Sequence, residues 1–218
     1  MPIQAVLFDL DGTLLDTAPD LVTALNQMRA AESLPPMPLS EIRQIANLGS
    51  KAMIKLALGM EECDPRFKRM REYFFHLYEK HLADATQFFP QVERLLATLD
   101  EQSIRWGIVT NKLTRHAEPL LKALKFDHRP ACLVCGDSVA KGKPDPLPIK
   151  HACELLKVLP ENCIYVGDAA SDVVASKGAG VLSLVALYGY IHADDDPKLW
   201  NADGYIDEPM QVVEWLNN

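Results

Sequence analysis

Apolar residues follow two rhythms along the chain. Ala5-Val6-Leu7-Phe8 is a short, unbroken apolar run rich in strand-formers, and it stops abruptly at Asp9-Leu10-Asp11-Gly12-Thr13. From residue 17 to residue 82 the apolar positions instead recur at helical spacing. Leu21, Leu25 and Met28 mark a first helix, with Thr17 available as its cap. Pro35, Pro36 and Pro38 break the chain, and Ser40 then opens a second helix with Ile42, Ile45 and Ala46 inward. A third runs from Ser50 to Leu58 and stops at Gly59. Phe67, Met70, Phe74, Leu77 and Tyr78 mark a fourth, with Asp64 as N-cap and Pro65 at the first helical position.

After Phe88-Phe89-Pro90 the rhythm changes to alternation. The pattern predicts strands over 104–109, 131–135, 163–166 and 182–187. Helices are predicted over 92–99, over 114–124 with a bend at Pro119, over 146–156, and over 171–177 with an end at Gly178. Short apolar strands alternating with helices imply an α/β fold, a Rossmann-like parallel sheet with helices on both faces. Residues 5–8 belong to that sheet. The expected organisation is therefore an α/β core of residues 1–16 and 83–218 and an inserted, all-helical cap of residues 17–82, hinged near Asp16 and Leu82.

Ligands of such sheets sit beyond the carboxyl ends of the strands. The run at 5–8 ends in Asp9 and Asp11, the run at 104–109 in Thr110-Asn111, and the run at 163–166 in Gly167-Asp168, with Asp172 one helical turn further. Side chains two apart on an extended segment face the same way, so Asp9 and Asp11 share one small volume. Such a pair serves as a hard-metal site, as a nucleophile with a separate proton carrier, or merely as an Asx-Gly turn. An EF-hand loop is excluded, because Leu14 and Asp20 stand where Gly and Glu are required. Asp9, Asp168 and Asp172 with no His or Cys nearby suit oxygen-liganded Mg²⁺ rather than zinc. Lys143, in Gly142-Lys143-Pro144-Asp145-Pro146, adds an ammonium on a stiffened loop. Metal, ammonium and hydroxyl together would surround a phosphoryl group. Splitting phosphomonoester hydrolysis through an aspartyl phosphate meets the large rate demand of that reaction.

Composition narrows the partners. With 22 basic and 30 acidic residues the chain carries a net charge of −8, which disfavours nucleic acid and anionic membranes and makes local positive charge necessary for an anionic substrate. The longest uncharged stretch, Gly178 to Ala193, is shorter than the ~20 residues of a membrane span, and no signal-peptide pattern opens the chain. A cytoplasmic monomer or homodimer acting on a small-molecule phosphate ester is expected. Of the five cysteines, Cys132 and Cys135 have redox-like spacing, but on a strand their sulfurs point to opposite faces, which predicts core packing.

Asp9-x-Asp11-Gly12-Thr13, Thr110-Asn111, Lys143-Pro144 and Gly167-Asp168-x-x-x-Asp172 together resemble the four motifs of the haloacid dehalogenase-like phosphatases, and the helical insertion resembles the cap of the phosphoglycolate phosphatase-like branch. The resemblance implies that Asp9 is the nucleophile and a metal ligand, and that Asp11 is the general acid/base whose carbonyl also binds Mg²⁺. It assigns Thr110 and Lys143 to the phosphoryl oxygens, Asn111 to substrate binding, Asp168 to the metal and Asp172 to its outer shell. An acid at position 11 disfavours halide displacement. Substrate choice in this family lies in the cap, where Asn47, Ser50 and Lys51 are the candidate contacts. Gly49 fits the Gly-x-Gly of glycolate-specific relatives, and Asn47 departs from it. Leu187-Tyr188-Gly189-Tyr190-Ile191-His192, Asp196-Pro197, Trp200-Asn201-Ala202-Asp203, Thr17-Ala18-Pro19-Asp20 and Arg105-Trp106-Gly107 resemble the bacterial N-acetylmuramic acid 6-phosphate phosphatases. Tyr188, Tyr190 and His192 either line the entrance or pack the sheet edge. Asp194-Asp195-Asp196 reads as a solvated turn, and Gly178-Ala179-Gly180 as no dinucleotide fingerprint. The alternatives are 2-phosphoglycolate as substrate, a phosphomutase of the same fold, or a phospho-receiver or binding module, which would leave the cap unexplained.

Overall fold

A computed structural model describes residues 2–126 and 130–216. The apolar run at 5–8 forms β1 (Ala5–Phe8), buried at all four positions. A two-residue strand, β2 (Leu15–Asp16), leads into four helices: α1 (Ala18–Ala31), α2 (Leu39–Ile45), α3 (Gly49–Leu58) and α4 (Phe67–Lys80). The chain returns through β3 (Gln87–Phe88) and then alternates: α5 (Val92–Glu101), β4 (Arg105–Val109), α6 (Thr114–Ala123), β5 (Leu133–Val134), α7 (Leu147–Leu156), β6 (Cys163–Gly167), α8 (Ala170–Ala179), β7 (Leu182–Ala186), β8 (Gly204–Ile206) and α9 (Val212–Trp215).

The main sheet is parallel, in the order β5-β4-β1-β6-β7-β8. Central placement explains why β1 is continuously apolar: it is covered on both faces and flanked on both edges. Val6 and Phe8 face a core with Trp106, Ile108, Ile164 and Val166 beneath α5, α6 and α9. Ala5 and Leu7 face the opposite core with Val109, Val134 and Tyr165 beneath α7 and α8. Cys132 and Cys135 fall in these two separate cores, as alternation along a strand requires, and both are free and buried.

Several boundaries differ from the sequence reading. The last crossover helix runs through Gly178 and closes at Gly180, which has φ +78°. Gly178 meets a different need: a Cβ there would lie 3.3 Å from Pro146 Cβ. Helix α4 starts at Phe67 rather than Pro65, because Asp64 caps a preceding turn by accepting from Arg66 N at 2.8 Å. Thr17 stands at the N-cap of α1, yet its side chain makes no cap bond. The strand expected over 131–135 contracts to two residues at the sheet edge. Pro119 lies inside an uninterrupted α6.

Helices α1 to α4 surround a cluster of their own, built on Leu25, Met28, Ile42, Ile54, Phe74 and Tyr78. The two passages to the main sheet pair as an antiparallel ribbon, Leu15 opposite Phe88. Buried Asp20 of α1 binds the return passage, accepting from Ala85 N and Thr86 N at 2.9 Å each and from Thr86 Oγ1 at 2.6 Å. Neither the ribbon nor this carboxylate was legible in the sequence, since both depend on residues about seventy positions apart.

Candidate active site

Parallel register brings three strand ends together. Phe8 pairs with Ile108 on one side and Val166 on the other, so Asp9, Thr110 and Asp168 leave the sheet at one edge. Asp9 Oδ1 accepts from Leu10 N at 2.7 Å and lies 3.0 Å from Lys143 Nζ. Lys143, the ammonium expected on the proline-stiffened loop, is buried. Its ammonium also pairs with Asp172 Oδ1 at 2.7 Å and donates to Val109 O at 3.0 Å and the Tyr165 hydroxyl at 2.7 Å. Burial works against its charge, but Asp172 and Asp9 outweigh that and hold Lys143 protonated. Asn111 anchors the lysine loop: its amide donates to Lys143 O and accepts from Lys143 N, both at 2.9 Å. That amide positions the lysine, and Asn111 also lines the cavity, with a second N–H on Nδ2. Thr110 lines the cavity, and its hydroxyl accepts from Lys112 N at 3.1 Å.

The acids are more crowded than their spacing suggests. Asp9, Asp168 and Asp172 each bring one carboxylate oxygen within 4.8 Å of the others. Burial, moderated by Lys143 and reinforced by Asp172 and Asp11, raises the Asp9 carboxyl to about 6; burial together with Asp9 and Asp172 raises Asp168 to about 7. One ammonium among three buried carboxylates leaves an excess of two negative charges, and all the donors are oxygens. That donor set fits a hard divalent cation, with Asp9 and Asp168 as direct holders. Asp172 bonds through Oδ1 to Lys143 and through Oδ2 to Ala169 N at 3.0 Å. Gly12 is demanded here twice: its φ is +83°, and a Cβ would fall 2.1 Å from Asp168 Oδ2.

Asp11 points toward the helical layer. Its Oδ1 accepts from Thr17 Oγ1 at 2.6 Å and from Lys112 Nζ at 2.7 Å, which is where the unused cap hydroxyl of Thr17 goes. Lys112 was missed in the sequence, although it directly follows the Thr-Asn pair. Asp168 is gripped from three directions, by Thr13 Oγ1 at 3.0 Å, Tyr190 N at 2.7 Å and Asn47 Nδ2 at 2.9 Å. Asn47 also donates to Tyr190 O at 3.0 Å, tying the helical layer to the sheet directly over the acids. Tyr190 is buried and bridges Asp16 Oδ1 at 2.6 Å and Ala18 N at 2.9 Å where the chain enters the helical insertion, while Tyr188 packs on Phe89; neither lines the cavity.

A cavity of about 350 Å³ opens above Asp9, between the sheet edge and the helical layer. Asp9, Asp11, Thr110, Asn111 and Lys143 form its floor, and Asn47, Ser50 and Lys51 stand on its far wall, as their candidacy requires. Lys51 pairs with Glu62 at 2.6 Å in an exposed contact of little energetic weight. Arg71, Phe74, Phe75 and Tyr78 of α4 complete that wall and His116 of α6 adjoins it; none of the five is a site candidate in the sequence reading, where Phe74 and Tyr78 mark only the helix. The His116 ring stacks on Phe75 with centroids 5.0 Å apart, and burial with Arg115 and Lys112 nearby pushes it down to about 4, so it is neutral at pH 7 and its Glu79 neighbour at 3.5 Å is no ion pair.

A sheet with its acids at one edge and a helical insertion closing over them defines a capped α/β hydrolase. Residues 6–186 match the haloacid dehalogenase-like hydrolase family, and the chain belongs to it. It is 38% identical to the N-acetylmuramic acid 6-phosphate phosphatase of Pseudomonas aeruginosa over 217 residues, covering all of this chain and 96% of that one. It is 40% identical to a phosphoglycolate phosphatase of Xanthomonas campestris over 211 residues, covering 97% and 95%. Among solved structures, one described as a predicted phosphoglycolate phosphatase from Haemophilus somnus superposes with a TM-score of 0.86 at 26% identity over 98% of this chain and 97% of that one. The enzyme is a phosphatase of this family. Among the described residues, no helix is long and apolar enough to cross a membrane.

Proposed function

We propose that the enzyme hydrolyses N-acetylmuramic acid 6-phosphate in a Mg²⁺-dependent reaction. The carrying observation is the Asp9–Lys143 pair at the floor of a cavity whose other wall is the helical layer. A cavity of about 350 Å³ lies in the range of sites that enclose a small organic ligand and suits a sugar phosphate better than a two-carbon acid. Full-length similarity to the Pseudomonas protein supports the same substrate. 2-Phosphoglycolate is the second reading, supported by the Xanthomonas relative.

Asp9 attacks phosphorus in line; as its bond to phosphorus forms, the ester P–O bond breaks and Asp11 protonates the departing alcohol. Asp11, now a carboxylate, takes a proton from water as that water attacks the aspartyl phosphate. Inorganic phosphate leaves, and both aspartates return to their starting states. Thr17 and Lys112 hold Asp11 at the cap side, where the leaving group lies. Lys143 neutralises the phosphoryl oxygens beside Asp9 and Thr110 hydrogen-bonds them. Asp9, Asp168 and the Asp11 carbonyl would hold Mg²⁺, which would supply further charge neutralisation. Residues 17–82 act as the cap that selects the leaving group and excludes water, turning about the β2–β3 ribbon while Asn47 latches it to the sheet.

Phosphate release from N-acetylmuramic acid 6-phosphate and from 2-phosphoglycolate tests the substrate. A kcat/KM ratio above ~100 in favour of the sugar, about 2.7 kcal/mol, is expected. A preference for glycolate would overturn the assignment, and a rearranged sugar phosphate without free phosphate would mark a mutase.

Metal dependence is also readable without turnover. Asp9 and Asp168 titrate in the fold near 6 and 7, above the ~3.9 of an unfolded chain, so the native state holds more protons across that window and the metal-free protein loses stability as pH rises through it. A bound divalent cation removes that cost. At ~100 times its Kd, Mg²⁺ adds about 2.7 kcal/mol, a rise in Tm of roughly 5–10 °C for a chain of this size at pH 8. The gain should shrink at pH 5, where the acids are protonated. An equal shift at both pH values, or none, would speak against the site.

A further inference from the structure

Lysine and arginine side chains line the cavity at four positions, and three already have a carboxylate. Lys143 is paired with Asp9 and Asp172, Lys112 with Asp11, and Lys51 with Glu62. Arg71 of α4 is the fourth, and among the described residues no carboxylate lies within ion-pair reach of it. Its position is nonetheless fixed. Nε donates to Ser50 Oγ at 2.8 Å, and the guanidinium carbon lies 5.3 Å from the centroid of the Phe75 ring. The hydroxyl and the ring hold the head group, while the two terminal nitrogens have no hydrogen-bond partner among the described residues.

An arginine keeps its charge at any pH a folded protein meets, and its terminal nitrogens match a carboxylate in a bidentate fork. The floor of the cavity accounts for the phosphoryl group through Lys143 and Thr110, which leaves Arg71, on the opposing helical wall, facing the leaving group. In a chain with a net charge of −8 and 30 acidic residues, a cavity-lining guanidinium with no carboxylate partner among the described residues is suited to an anionic group. We infer that Arg71, aligned by Ser50 and Phe75, is a specificity-determining residue that binds a carboxylate on the leaving group. The enzyme therefore selects phosphate esters of hydroxy acids and acidic sugars over those of neutral alcohols. This inference rests on the phosphatase reading of the Asp9 site and adds the class of leaving group. It covers both candidate substrates, since each carries a carboxylate as well as a phosphate.

Matched pairs isolate that carboxylate. N-acetylmuramic acid 6-phosphate and N-acetylglucosamine 6-phosphate differ by the lactyl group; 2-phosphoglycolate and ethyl phosphate differ by the carboxylate alone. Wild type should prefer the acidic member of its better pair by ~100-fold or more in kcat/KM, and Arg71→Gln should reduce that ratio at least ~30-fold, with the loss chiefly in KM. Arg71→Lys should recover part of the ratio by restoring charge without the fork. A ratio unchanged in Arg71→Gln, or a wild type indifferent to the carboxylate while active on p-nitrophenyl phosphate, overturns the inference and leaves the phosphatase reading standing. A wild type inactive on every ester, p-nitrophenyl phosphate included, would instead bring down the phosphatase reading and this inference with it.

Discussion

Asp9→Asn is expected to lower kcat/KM at least ~10⁴-fold, about 5.4 kcal/mol of transition-state stabilisation, without unfolding the protein. An amide keeps the acceptor for Leu10 N but cannot form the aspartyl phosphate. The fold should hold because the substitution removes one negative charge from a buried cluster that carries too many. Phosphate release and a thermal melt on the same preparation check both halves. Residual activity above ~1% with an unchanged Tm would mean that catalysis does not pass through Asp9.

Lys143→Met should damage stability and activity together. The substitution removes the ammonium that compensates Asp9 at 3.0 Å and Asp172 at 2.7 Å and strips a donor from Val109 O. Breaking a buried pair by deleting one partner costs about 3–5 kcal/mol, because the other charges stay buried and unpaired. At roughly 2–4 °C per kcal/mol, Tm should fall by about 6–20 °C. Adding Asp172→Asn should return part of that loss, because it relieves the carboxylate the lysine leaves behind. Activity should fall ~10³-fold or more and not return in the double variant, since the phosphoryl group still lacks its cation. An unchanged Tm in the single variant would contradict the charge accounting of the site.

What the sequence disclosed and what it withheld follow from range. The run at 5–8 reads as a strand because burial on both faces leaves no polar position in it, and the acids after it read as a site because parallel strands deliver their ends to one edge. The cysteines at 132 and 135 were legible by the same alternation. Illegible were side chains whose partners lie far away in sequence. Lys112 reaches Asp11 across 101 positions, and Asn47, a candidate substrate contact in the sequence, instead reaches Asp168 across 121. Arg71 looks like any polar residue on an amphipathic helix until Ser50 and Phe75 are seen to hold it. Thr17 shows a local rule yielding to a distant partner, for its hydroxyl serves Asp11 instead of the helix it precedes.

The cap's composition now has a chemical sense. Asn47, between α2 and α3, ties the helical layer to Asp168 and Tyr190, Thr17 and Lys112 bond Asp11 from the start of the insertion and from the sheet side, and Arg71 of α4 lines the cavity opposite Asp9. On the proposed reading, the core supplies the chemistry and the insertion selects the ester.

The central claim is that Asp9 carries the phosphoryl group between two half-reactions, and rapid acid quench with p-nitrophenyl phosphate tests it most directly. This leaving group needs no proton, so Asp11→Asn should complete the first half-reaction and stall at the second. The predicted result is a burst of nitrophenolate stoichiometric with enzyme, and one phosphoryl group mapped to the peptide that contains Asp9. Slow release without a burst, or a phosphoryl group on any other residue, would contradict it.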